Sequence, residues 1–235
     1  MRLMIISGGS RGLGDALCRI YLDRAYRIVE FSRSAPHEYS VKIDMAAPVS
    51  ALQVVAETLN KLAQTHWEEV LVINNAATVD PIGSPSQKDA HAVLDNMNTN
   101  ICSAVLFMSE AMRCFQSLAA PKSLVNISSG AALGGFPGWA LYCTAKAGLE
   151  NFINTIAMEQ NAEPHPFRAI NVDPGLIDTD MQAAIRTATV EDFPAVGRFI
   201  QSKEAGVLVA PHKVAEKVAR LIDDVQVRNG QRVSV

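Results

Sequence analysis

The chain has 235 residues, 49% of them hydrophobic, enough to bury one sizeable α/β core. Its net charge is −3 with no basic run, which argues against nucleic acid or anionic membrane as main partners. No apolar stretch reaches transmembrane length, no signal-like segment is present, and Cys18, Cys102, Cys114 and Cys143 show neither a C-x-x-C pair nor metal spacing; a reduced cytoplasmic protein without a metal site is expected.

Short apolar runs alternate with helical patterns. Strands are predicted at Leu3–Ser7, Arg27–Phe31, Val41–Ile43, Val70–Asn74, Ser123–Ser128, Arg168–Val172 and Arg232–Val235. Helices are predicted at Arg11–Ala25, Val49–Gln64, Ala90–Leu118, Trp139–Asn161 and Pro211–Asp223, the third of them bent near Met97. This alternation implies a single-domain, doubly wound α/β fold: a parallel seven-stranded sheet with helices on both faces. The segment Leu176–Pro211 breaks the rhythm after Pro174-Gly175 and is too long for an ordinary connection. Its mix of apolar and charged residues predicts a partly helical lid.

Two local patterns carry chemistry. Ser7-Gly8-Gly9-Ser10-Arg11-Gly12-Leu13-Gly14 follows the first strand and opens the first helix, the context in which a glycine turn holds a dinucleotide. Gly8 allows a tight turn, Gly12 a close approach to a pyrophosphate, and Gly14 close packing; the helix N-terminus adds free N–H groups and partial positive charge. Its G-x-x-x-G-x-G spacing differs from the G-x-G-x-x-G pattern. The second pattern is Tyr142 and Lys146, which share a helix face at i and i+4, with Ser129 thirteen residues earlier. A lysine ammonium beside a phenol is expected to lower the tyrosine pKa toward neutrality, so that it exchanges a proton with a carbonyl oxygen or an alcohol near pH 7. Alone, the pair is also what a surface tyrosine and a solvated lysine would give.

With these motifs in order, the chain resembles the short-chain dehydrogenase/reductase family along essentially its whole length. The family's T-G-x-x-x-G-x-G appears with Ser7 for threonine, and its adenine-contacting aspartate as Asp44. Its N-N-A-G appears as Asn74-Asn75-Ala76-Ala77, its helix asparagine as Asn100, and its serine as Ser129. Tyr142 and Lys146 match Y-x-x-x-K, and Asn171, Pro174, Gly175 and Thr179 match the N-x-x-P-G-to-threonine motif. Within the family the chain is most similar to sepiapterin reductases and bacterial benzil reductases. The similarity rests on Asn126–Ala131, Gly138–Cys143, Asp178–Gln182 with Arg186, and the stretch from Glu191 to Glu204.

The resemblance implies hydride transfer from reduced nicotinamide to a ketone. Tyr142 would protonate the developing alkoxide. Lys146 would tune Tyr142 and hold the ribose, Ser129 would donate to the substrate oxygen, and Asn100 would steady a water chain. It also implies cofactor contacts at Gly8, Ser10, Arg11, Gly12, Leu13, Gly14, Ser32, Arg33, Asp44, Asn75, Ala76, Pro174, Gly175, Ile177 and Thr179. Where NAD-dependent members carry an acid after the second strand, this chain has Ser32 followed by Arg33, and Glu30 lies two residues early. With Arg11 nearby, a clamp on a 2′-phosphate is expected, hence NADPH/NADP. Phe136, Trp139, Leu176 and Met181 are candidates for a hydrophobic substrate pocket. Sepiapterin reductases anchor the pterin with a C-terminal aspartate, where Ser234 stands here. The expected substrate is therefore a small-molecule carbonyl, a hydrophobic vicinal diketone before a pterin. The alternatives are an oxidative alcohol dehydrogenase and a non-catalytic NADP-binding regulator. Family precedent implies a homodimer or homotetramer with the helices around Asn100 and Tyr142 at the interface.

Overall fold

In the computed structural model, which describes residues 1–235, seven strands form one parallel sheet. They are β1 (Arg2–Ser7), β2 (Tyr26–Ser32), β3 (Ser40–Lys42), β4 (Glu69–Asn74), β5 (Lys122–Ile127), β6 (Phe167–Asp173) and β7 (Arg232–Ser234), in the order β3-β2-β1-β4-β5-β6-β7. The helices are α1 (Gly12–Asp23), α2 (Pro48–Leu62), α3 (Ala90–Met97), α4 (Ser103–Phe115), α5 (Ala140–Glu159), α6 (Asp180–Ile185), α7 (Val196–Glu204) and α8 (Pro211–Asp223).

The strands read as unbroken apolar runs because both faces of the sheet are covered. Leu3 and Ile5 of β1, with Val70 and Val72 of β4, pack under α2, α4 and α5. Met4, Ile6, Leu71 and Ile73 point the other way, under α1 and α8. Helix α8 starts with proline at its first turn and buries Val214, Ala215, Val218, Ala219 and Ile222 on one face. Each of its larger side chains contributes about 1.5–3 kcal/mol on burial.

Most predicted ends move by a residue or two, and three differences bear on the site. Strand β3 lies one residue earlier than expected, although the Ile43 N–H still bonds the Ser32 carbonyl at 3.0 Å. The helix expected over Ala90–Leu118 is split by a π turn at Asn98–Cys102, next to the predicted bend, and α4 ends at Phe115. Tertiary anchors hold the turn open: the Asn98 amide donates to the Ala46 carbonyl at 3.1 Å, and Asn100 brackets the Thr78 backbone. Helix α5 begins one residue after Trp139. The Leu176–Pro211 segment holds α6 and α7, as its composition predicts, and a parallel bridge between Ile177 and Val209 ties its two ends together.

The chain leaves β1 toward β2 and later returns to β1's other side as β4, so the order reverses at β1. Crevices at such switch points, beyond the carboxyl ends of the strands, are where α/β sheets bind ligands. Below this one runs a polar ladder. Ser7, Asn74, Asn126 and Asn171 are register partners on β1, β4, β5 and β6. Their side chains link at 3.1, 3.0 and 2.9 Å. All four are essentially buried, so the ladder is a fully satisfied network that fixes strand ends relative to one another.

Candidate active site

Tyr142 lies in the first turn of α5 and Lys146 one turn later; both are buried. The Lys146 ammonium donates to the Ile127 carbonyl at 2.7 Å and sits 5.6 Å from the centre of the Tyr142 ring. Ser129, two residues after β5, accepts from the Ala131 N–H at 3.2 Å and so caps a short turn, near enough to the Tyr142 phenol to favour its ionised form. The structure therefore brings Ser129, Tyr142 and Lys146 together.

The expected lowering of the phenol toward neutrality is not what the protein alone produces. Burial pushes Tyr142 up to about 12; the Ser129 hydrogen bond opposes this, and Asp173 and Cys143 add to it. Burial likewise pulls Lys146 down to about 8, against the carboxylates of Glu150 and Asp173. The physical reason is that burial strips water from both groups, and for each this exceeds the opposing effect of the neighbouring hydroxyl or carboxylates.

Asn100 is buried in the π turn. Its side chain accepts from the Thr78 N–H and donates to the Thr78 carbonyl, both at 2.8 Å, and donates to Asn96 at 3.0 Å. It fixes the loop after β4 rather than lying free beside the phenol.

The glycine turn has the shape the sequence implies. Gly8 has φ +74°, and a Cβ there would meet the Ala76 backbone at 2.8 Å. A Cβ on Gly14 would sit 2.1 Å from the Gly8 carbonyl oxygen, so only glycine lets the first turn of α1 press against this loop. The Ser7 hydroxyl accepts from the Asn75 and Ala76 N–H groups at 3.1 and 3.3 Å, so it ties the end of β1 to the loop after β4. The Asn75 side chain donates to the Gly8 carbonyl at 2.7 Å. No side chain caps α1, which leaves its first N–H groups without a side-chain partner; this fits a dinucleotide phosphate. Gly12 stands opposite Thr179, whose hydroxyl accepts from the Gln182 N–H at the start of α6. Ser10 and Leu13 lie within the same turn, and Asp44 is exposed at the end of β3, where it accepts from the Ala46 N–H. Pro174 is buried, Gly175 has φ +69°, and Ile177 follows in the bridge to Val209.

Glu30 is fully buried and accepts from the Gly9 N–H at 3.1 Å, so it braces the glycine turn from within the core. Ser32 accepts from the Ala35 N–H at 3.1 Å, and Arg33 beside it is exposed. Arg11, on the exposed side of the glycine turn, pairs with Asp180 of the lid at 3.1 Å.

Three of the four substrate candidates gather at Tyr142. Trp139 packs edge-on to Tyr142 at 5.5 Å and near Phe136 at 5.6 Å, and Met181 borders the same cluster. Leu176 does not join them; it is 40% exposed and lies at the base of the lid. The sequence reading missed Phe193 and Phe199, which the lid brings in. Phe193 stacks on Trp139 at 4.5 Å, and Phe199 meets it edge-on at 5.3 Å. A partial signal existed in Ile185, Phe193, Val196 and Phe199, apolar residues of the segment that are all buried here, although the neighbouring Val190 and Ile200 are exposed.

The chain matches the short chain dehydrogenase family model over residues 2–189. It is 32% identical to a benzil reductase ((S)-benzoin forming) of Bacillus subtilis, over 95% of this chain and 94% of that protein. It is 26% identical to the sepiapterin reductase of Xenopus tropicalis, over 98% and 95% of the two chains. The crystal structure of the KRED1-Pglu enzyme superposes with a TM-score of 0.82 at 27% identity, over 99% of this chain and 100% of that one. With the glycine turn at the switch point and Ser129, Tyr142 and Lys146 assembled beside it, the chain belongs to the short-chain dehydrogenase family and is a nicotinamide-dependent oxidoreductase acting on C=O and CH–OH groups.

Proposed function

We propose that the protein is an NADPH-dependent carbonyl reductase that converts hydrophobic vicinal diketones to hydroxyketones. The observation that carries this reading is the apolar aromatic wall, Trp139 with Phe136, Phe193 and Phe199, set directly against the Tyr142 phenol. Such a wall suits aryl or alkyl groups flanking a carbonyl.

The cofactor, when bound, supplies hydride to the carbonyl carbon. Ser129 donates to the carbonyl oxygen as charge develops there. Tyr142 delivers the proton, which its raised pKa keeps in place, and the Lys146 ammonium near its ring would stabilise the forming phenolate and help hold a nicotinamide ribose. Asn100 fixes the loop after β4 and supports resupply of the proton through water.

The pterin reading has no free anchor. Ser234 accepts from Arg232 at 3.1 Å, and the two lid aspartates that could substitute are paired, Asp178 with Lys203 at 2.7 Å and Asp180 with Arg11. Preference for NADPH rests on Arg33 beside Ser32, on Arg11, and on the burial of Glu30 in the core. Similarity to the benzil reductase supports the same substrate class. The deciding experiment is steady-state kinetics with NADPH and NADH on benzil, a small aliphatic diketone and sepiapterin. The highest kcat/KM is expected for a diketone with NADPH. A sepiapterin value well above both diketones would overturn the reading in favour of a pterin reductase.

A further inference from the structure

Beneath the catalytic group lies an ion cluster built on the last strand. Arg232 donates through Nε to Glu150 at 2.9 Å and through one terminal nitrogen to Asp173 at 2.7 Å; that nitrogen also reaches the Ser129 carbonyl at 3.5 Å. Its other terminal nitrogen donates to Ser234. The three charged side chains are only 23%, 12% and 16% exposed, unlike the open ion pair between Arg11 and Asp180. Glu150 lies one turn beyond Lys146 on α5 and also accepts from the Ser128 hydroxyl, next to Ser129. The second oxygen of Asp173 accepts from the Gly175 N–H at 3.0 Å. One guanidinium thus ties together α5, the end of β5, and the turn that follows β6.

We propose that Arg232 is a positioning residue, which fixes Ser129 and sets the charge on Lys146 by balancing Glu150 and Asp173. The inference rests on the reading of Ser129, Tyr142 and Lys146 as the catalytic set. Around that set the charged or titratable groups are Cys143 and Glu150 on α5, Asp173 on β6 and Arg232 on β7; β5 contributes the neutral Ser128 and Ser129, and the π turn the neutral Asn100. Both carboxylates favour the charged lysine, and Asp173 disfavours phenolate. With Arg232 removed they act in full, so the pKa values of Lys146 and Tyr142 both rise. A unit charge at several ångströms in a partly screened interior shifts a neighbour by on the order of one pH unit.

The test is NMR titration of Lys146 in isotope-labelled protein, with its signal assigned through Lys146→Met. Arg232→Met is expected to raise the midpoint by about one pH unit, and Arg232→Lys by less. The double variant Arg232→Met/Glu150→Gln is expected to return it toward wild type, a reversal that simple loosening of the fold would not produce. The falling alkaline limb of kcat/KM for benzil reduction with NADPH is expected to move up with it. An unchanged Lys146 midpoint in Arg232→Met, or a double variant shifted further than the single one, would overturn the proposal. The titration needs no turnover: a wild-type protein that leaves benzil unreduced would sink the diketone reading, while the midpoints would still decide the role of Arg232.

Discussion

Tyr142 and Lys146 are each shifted by burial in the direction that keeps them neutral, and this has kinetic consequences. A phenol pushed up to about 12 stays loaded as an acid across the neutral range, whereas Lys146 loses its proton as pH rises through about 8. For ketone reduction, kcat/KM reports the free enzyme, so it is expected to hold below pH 8 and fall above it. A profile flat to pH 10 would contradict this assignment to Lys146. Tyr142→Phe removes only the phenolic oxygen, and the ring keeps its contact with Trp139. Turnover is expected to drop by about 10²–10⁴-fold with NADPH binding largely intact, measured by steady-state kinetics and cofactor fluorescence. More than a tenth of wild-type turnover would sink the proton-donor role. Arg33→Ala is expected to raise KM for NADPH much more than for NADH; equal effects would remove Arg33 from the 2′-phosphate site. These residues were legible as types and spacings. Their electrostatics were not, because desolvation depends on what the fold places around them: Lys146 turns to the carbonyl of Ile127, nineteen residues away in sequence.

At the level of elements, the glycine turn and the lid behave differently. The turn is rigid by construction. Gly14→Ala would force a methyl to 2.1 Å from the Gly8 carbonyl, so loss of cofactor binding is expected with destabilisation of about 1–3 kcal/mol, read from cofactor titration and denaturant unfolding. Wild-type affinity in that variant would show the close approach to be dispensable. The lid has α6 and α7, a bridged base, and exposed ion pairs that contribute no more than about 1 kcal/mol each. Its hold on the site comes mainly from Phe193 and Phe199 packing on Trp139. Amide exchange in Leu176–Pro211 is expected to slow when NADPH and a slowly turned-over ketone are added. Unchanged protection would show that the segment does not close over substrate. The sequence announced this segment by its broken rhythm, but it did not reveal that Phe193 rather than Leu176 packs on Trp139, the neighbour of Tyr142. That outcome depends on how α6, α7 and the chain between them fold back over the strand ends.

For the whole molecule, the sheet order puts all the site segments at one edge. No helix is long and apolar enough to cross a membrane. A homodimer or homotetramer is expected in solution, with the helices around Asn100 and Tyr142 at the interface; sedimentation that returned a monomer at micromolar concentration would refute it. The sequence by itself determined the parallel seven-stranded sheet and its two helical layers, because unbroken apolar strands alternating with amphipathic helices have few other ways to bury both faces. It also determined the glycine turn, since the backbone conformation at Gly8 and the clash at Gly14 admit little else. Only the tertiary structure decided which distant groups meet. Register aligned Ser7, Asn74, Asn126 and Asn171 into one ladder, and the return of β7 beside β6 brought Arg232 under Ser129 and Glu150. Tertiary anchors at Thr78 and Ala46 opened the π turn at Asn98–Cys102. Side-chain type and local spacing specify elements, whereas contacts and desolvation arise from pairings across tens to hundreds of residues that no local pattern records.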